Sequence, residues 1–182
     1  NRRTLVQLIR EAAKAVQAAT EEGIVHRDLK PENLMVVSKA KPGTGRFEAN
    51  KAGEHHLYVM DFGLARPAEG ANDVSVSGHI VGTPAFMSPE QAQGERVDAR
   101  ADIWSLGATL YELLTDRKPF QGKNVLDTLK AVQEKEPRPP RKINPKLDAD
   151  LETIVLKCLE KDRARRYATP QELADDLDRW LA

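Results

Sequence analysis

Residues 98–114 carry Ile103, Trp104, Leu106, Ala108, Leu110, Tyr111, Leu113 and Leu114, which fall almost all round a helix. A helix with no continuous polar face has to be buried on most sides, so the rest of the chain must supply elements to cover it. One candidate lies near the start, where Leu5, Leu8, Ile9, Ala12, Val16 and Ala19 recur at helical spacing and the pattern ends near Gly23. Further helices are predicted at about 124–135 and 148–161. Pro137, Pro139 and Pro140 exclude helix between them. In the second of these, Cys158 shares an apolar face with Leu151, Ile154, Val155 and Leu159 and reads as core. A last helix opens with Thr169-Pro170-Gln171-Glu172, a capping-box spacing with Pro at the first helical position, and presents Leu173, Leu177, Trp180 and Leu181 on one face.

Strand signals are few. Leu34-Met35-Val36-Val37 and Leu57-Tyr58-Val59-Met60 are β-favouring and read as a hairpin. The connection over 38–56, rich in Lys, Gly and polar residues, is expected to be exposed. The expected fold class is therefore mainly α with a small β hairpin. At 182 residues, 40% hydrophobic and 31% charged, the chain has the size and composition of one soluble globular domain, or one lobe of a larger one. Lys+Arg and Asp+Glu both number 28, so no basic field argues for nucleic acid or an anionic membrane surface. Cys158 is the single cysteine, which rules out a disulfide framework and suits a reducing compartment such as the cytoplasm. No apolar run approaches the ~20 residues of a membrane-spanning helix. The sequence starts at Asn1 and enters a helical pattern at once, so it is expected to be a piece of a longer chain.

The chemistry concentrates in His26-Arg27-Asp28-Leu29-Lys30-Pro31-Glu32-Asn33, which puts a carboxylate, an ammonium and an amide on one short loop. Phosphoryl transfer needs such a set: an acceptor for a hydroxyl proton, a cation for the migrating phosphate, and an oxygen for a metal ion. Two adjacent histidines, His55 and His56, have no third ligand nearby in sequence and read as exposed polar residues. Gly43-Thr44-Gly45 lacks the spacing of a phosphate-binding loop and reads as linker.

The His26–Asn33 run resembles the catalytic loop of eukaryotic-type protein kinases, H-R-D-L-x-x-x-N, with every fixed position filled. Two further stretches extend the resemblance. Asp61-Phe62-Gly63 follows the second β run, and Gly82-Thr83-Pro84-Ala85-Phe86-Met87-Ser88-Pro89-Glu90 is similar to the end of an activation segment, with Ser88 where Ala is usual. The resemblance implies that Asp28 orients the attacking hydroxyl and accepts its proton late, since a carboxylate is too weak a base to ionise an alcohol beforehand. Lys30 would sit against the transferring phosphate, and a Lys at this place resembles Ser/Thr-directed kinases. Asn33 and Asp61 would bind Mg²⁺, so that Lys30, Asn33 and Asp61 together meet ATP and its metal. Thr83 would contact Asp28 and Lys30. Glu90 would pair with Arg166, Asp102 would hold the loop backbone from beneath, and Arg163 and Arg165 would be solvated. Arg27, next to Asp28, implies an activation segment ordered by phosphorylation, with Ser75 and Ser77 as the candidate acceptors.

A complete kinase also carries a Gly-rich loop, a strand Lys and a helix Glu, all before the catalytic loop. Only 25 residues precede His26 here, and they read as one helix. The resemblance thus implies that residues 1–182 are the C-terminal lobe of a catalytic domain, α+β when joined to an N-lobe of the same parent chain. The implied activity is ATP-dependent phosphorylation of Ser or Thr in protein substrates, with this segment inactive alone. The alternative is a pseudokinase or docking module. One departure is internal: 28 positions separate Asn33 from Asp61, about twice the family's usual spacing. The extra residues fit the hairpin tip, where doubling a loop costs only ~0.6 kcal/mol.

Overall fold

A computed structural model describes residues 1–38, 55–61, 66–67 and 83–182. The apolar rod is its central element: α3, Ala99–Thr115, is buried from Ala101 through Tyr111. Asp98 caps its start, the carboxylate accepting the Arg100 N–H at 2.9 Å. Asp116 closes it in the left-handed region at φ 53°. Around α3 pack α1 (Arg2–Glu21), α5 (Ala149–Cys158) and α6 (Pro170–Leu181), and α6 also touches both α1 and α5. The short α2 (Pro89–Ala92) and α4 (Val125–Glu134) pack together beside the Pro84–Phe86 turn. Among the described residues no helix is long and apolar enough to cross a membrane.

Two small antiparallel ladders complete the fold. β2 (Leu34–Ser38) pairs with β3 (His55–Val59), Leu34 opposite Val59 and Ser38 opposite His55. The partner strand starts and ends earlier than the expected 57–60. Met60 has left the ladder and gives its N–H to the Asn33 carbonyl at 2.8 Å. Leu34, Leu57 and Val59 pack on the helical core, while Met35, Val37 and Tyr58 stand exposed on the outer face. A second ladder, β1 (Ile24–Val25) with β4 (Arg66–Pro67), has no counterpart in the sequence reading.

Three helices differ in detail from expectation. The buried stripe of α1 is Val6, Ile9, Ala12, Ala13 and Val16, rotated from the predicted one because both α3 and α6 cover this helix. α5 stops at Cys158, short of Lys161, and the carbonyls of Glu160 and Lys161 turn to receive the Arg166 side chain. In α6 Thr169 accepts the Glu172 N–H at 3.2 Å, but the Glu172 carboxylate bonds the Ala168 N–H and does not reach back to Thr169.

The tightest approach is between α3 and α5. A Cβ built on Gly107 would lie 2.3 Å from the Cβ of Cys158, well inside van der Waals contact. Burial pushes the Cys158 thiol up to about 12, so it stays a small neutral core group. Gly107→Ala is therefore expected to lower stability by ~1–3 kcal/mol through overpacking, despite the higher helix propensity of Ala. Chemical denaturation of the full-length protein checks this; an unchanged or raised midpoint would contradict the close contact.

Candidate active site

Everything at the site hangs from Asp102, in the first turn of α3 and fully buried. Its two carboxylate oxygens each take one backbone N–H from the His26–Asn33 loop: His26 on Oδ2 at 2.8 Å and Arg27 on Oδ1 at 2.8 Å. Burial pushes this carboxyl above the ordinary range, against the lowering pull of the two N–H groups. The grip holds Arg27 at φ 71°, a left-handed conformation that costs a non-glycine residue roughly 1–2 kcal/mol. This reversal turns the chain so that Asp28 leaves the core and faces the site.

His26 locks the next peptide. Its Nδ1 accepts the Asp28 N–H at 3.3 Å, so Nε2 carries the proton and donates to the Met60 carbonyl at 3.0 Å. One buried ring thereby joins the loop to the residue just before Asp61. A second link is the Met60 N–H on the Asn33 carbonyl.

Four of the predicted side chains gather here. Lys30 Nζ lies 3.0 Å from Asp28 Oδ2 and donates to Thr83 Oγ1 at 3.1 Å. The Asn33 amide donates through Nδ2 to the Asp28 carbonyl at 2.7 Å and reaches Asp28 Oδ2 at 3.4 Å. With its NH₂ spent on Asp28, Asn33 turns its carbonyl oxygen the other way, as the group a cation would take. The backbone of Asp61 lies beside Asn33 through the Met60 bond, at φ 61°, and Asp61 is exposed. An amide oxygen and a carboxylate, carried by these two neighbouring segments, make a hard, oxygen-only donor set, which fits Mg²⁺ and not a thiophilic ion. Among the described residues no group of three or more His, Cys, Asp and Glu gathers to hold a metal, and His56 is exposed. Phe62, Gly63, Ser75, Ser77 and Gly82 lie outside the described residues.

The far edge of the site is fastened by Glu90 and Arg166. Their bidentate pair, at 2.7 and 2.8 Å, is almost wholly buried. Arg166 spends its remaining N–H groups on the carbonyls of Glu160, Arg100 and Lys161, and its guanidinium lies 5.0 Å over the Trp104 ring. Arg163 bonds the Arg96 carbonyl at 2.9 Å, while Arg165 is exposed beside Glu160. The sequence reading passed over Gln91. Its side chain makes a capping box with Ser88 and donates to the Arg27 carbonyl at 2.8 Å. The Ser88-Pro89-Glu90-Gln91 spacing, S-x-x-Q, is the signal that could have found it.

The loop that carries Asp28, Lys30 and Asn33 is thus clamped from below by a helix carboxylate. The chain belongs to the protein kinase domain family, whose model matches residues 1–177. It is similar to the serine/threonine-protein kinase PknB of Mycobacterium tuberculosis, 37% identical over 175 residues, covering 96% of this chain and 26% of the relative. It is also similar to the serine/threonine-protein kinase Pkn1 of Myxococcus xanthus, 39% identical over 165 residues, covering 91% of this chain and 22% of the relative. The chain thus spans about a quarter of the length of these relatives.

Because Arg166 is fully bonded and Glu90 is buried, losing either partner strands a charge. Arg166→Ala in the full-length protein is expected to cost ~3–5 kcal/mol of unfolding free energy, read by denaturant titration. A loss below about 1 kcal/mol would mean that the pair is solvated.

Proposed function

We propose that this chain is the C-terminal lobe of a catalytic domain that transfers the γ-phosphoryl group of ATP to Ser or Thr hydroxyls of protein substrates. The reading rests above all on one contact set: Lys30 Nζ between the Asp28 carboxylate and the Thr83 hydroxyl, with Asn33 bonded to Asp28. The Asp28 carboxylate orients the incoming hydroxyl and takes its proton late, as the new bond to phosphorus forms and the bond to the departing ADP breaks. Lys30, 3.0 Å from that carboxylate, offsets negative charge on the migrating phosphoryl group. Thr83 accepts a hydrogen bond from the Lys30 ammonium on the side of the activation segment, next to where a threonine or serine substrate would approach Asp28. Asn33 Oδ1 and the Asp61 carboxylate would hold Mg²⁺. When bound, the ion would supply positive charge that offsets the negative charge of the phosphates.

A second lobe from the same parent chain would cover the site. The exposed outer face of the β2–β3 hairpin, with Met35, Val37, Tyr58 and the adjacent Met60, supports such a cover because it flanks Asn33 and Asp61 directly. The 182-residue sequence has no Gly-rich loop or strand Lys to complete a nucleotide cradle, so the segment alone is expected to be inactive. Phosphorylation of Ser75 or Ser77, gripped by Arg27 next to Asp28, would order the activation segment. Since ATP is a cytoplasmic reactant, this lobe works in the cytoplasm.

In the full-length protein, Asp28→Ala is expected to lower kcat by about 10²–10⁴-fold in a radiolabelled-phosphate transfer assay. A loss under about tenfold would remove Asp28 from the chemistry and favour a docking module over an enzyme.

A further inference from the structure

We propose that Gln91 is a positioning residue: its side-chain amide ties the end of the activation segment to the peptide that aims Asp28. The inference rests on the kinase reading for its rate readout, and on geometry alone for the rest. Gln91 Nε2 donates to the Arg27 carbonyl at 2.8 Å, across 64 residues of sequence. That carbonyl belongs to the same peptide unit as the Asp28 N–H, which is held by His26 Nδ1 at 3.3 Å. The Arg27–Asp28 peptide plane is therefore fixed at both ends. Arg27 itself is strained at φ 71° and is gripped through its own N–H by Asp102. Release at the carbonyl end lets this plane rotate, and the rotation carries the Asp28 Cα with it.

The choice of amide supports this role. A capping box works equally well with Glu or Gln, because it uses only a side-chain oxygen. Here the oxygen is used that way: Gln91 Oε1 accepts the Ser88 N–H at 3.1 Å, and Ser88 Oγ accepts the Gln91 N–H at 3.4 Å. The Nε2 group has no part in the cap and goes to the catalytic loop. The Ser88 N–H donates to one end of the amide and the Arg27 carbonyl accepts from the other, which fixes which end points where. Ser88, the position that departs from the usual Ala, adds its hydroxyl to the bond from its own N–H, donating to Gln91 Oε1 at 3.3 Å. The Ser88–Gln91 pair couples the turn after Thr83 to Asp28 without touching substrate.

Gln91→Glu separates the two roles, because it keeps the oxygen for Ser88 but sets a carboxylate against the Arg27 carbonyl. In the full-length protein the expected result is a fall in kcat of about 10–100-fold with KM for ATP little changed. Amide exchange over residues 26–33 is expected to rise about tenfold. The control is Gln133→Glu, which removes another amide bond to the same short helix, from Gln133 Nε2 to the Ala92 carbonyl at 3.1 Å, but lies away from the loop. It is expected to move neither readout. If Gln91→Glu does not fold, Gln91→Ala deletes the same donor together with the cap oxygen. It is compared with Ser88→Pro, which removes the Ser88 N–H and hydroxyl of the cap but leaves Gln91 Nε2: the proposal expects the fall in kcat and the rise in exchange from Gln91→Ala alone. An active enzyme with unchanged kcat, unaltered exchange in the loop, or an equal effect from Gln133→Glu would each overturn the proposal. If the unsubstituted protein transfers no phosphate, the kinase reading fails, while the exchange measurement still decides the role of Gln91.

Discussion

One buried carboxylate sets the geometry of this molecule. Asp102 takes the N–H groups of two successive loop residues on separate oxygens, and by doing so keeps Arg27 in a conformation that L-residues avoid. A buried acid with two donors is favourable only if both donors stay in place, because the uncompensated charge would be costly. The loop is thus held by the desolvation cost of letting go. Asp28, Lys30 and Asn33 inherit their positions from that constraint.

The constraint needs a rigid base, and α3 provides it. The same buried helix that offers Asp102 also offers Ser105, whose hydroxyl donates to the Phe86 carbonyl at 2.8 Å. It offers the Arg100 carbonyl and the Trp104 ring to Arg166 as well. The His26–Asn33 loop, the Pro84–Phe86 turn and the Glu90–Arg166 pair are therefore all referenced to the first turns of one helix. Trp104 stacks on Phe120 at 5.5 Å, with Lys161 over both rings, so side-chain packing resists any slide of this helix. A rod that carries polar anchors on one face and core contacts on the rest cannot shift one without the other.

Much of this was legible in the residues. The all-apolar pattern over 98–114 specified a buried helix, and the eight-residue loop motif specified which side chains would meet. Thr169-Pro170 located the start of the last helix. Other features leave no local trace. A two-residue ladder such as β1–β4 is too short for periodicity, and Arg66-Pro67 would argue against a strand. The rotation of the α1 stripe depends on two covering helices, which a one-dimensional pattern cannot weigh. The early end of α5 frees the Glu160 and Lys161 carbonyls for Arg166, whose place is set by Glu90, 76 positions earlier in the chain. Gln91 shows the remaining gap: the spacing reveals its cap, whereas its bond to Arg27 exists only in three dimensions.

The dependence of the loop on Asp102 is tested most directly by a crystal structure of the full-length protein carrying Asp102→Asn. One of the two loop N–H groups would then face an amide donor. The account predicts that α3 remains intact while Arg27 leaves the left-handed region and Asn33 loses its bond to the Asp28 carbonyl. An unchanged loop, with Arg27 still near φ 71° and that bond still near 2.7 Å, would contradict it.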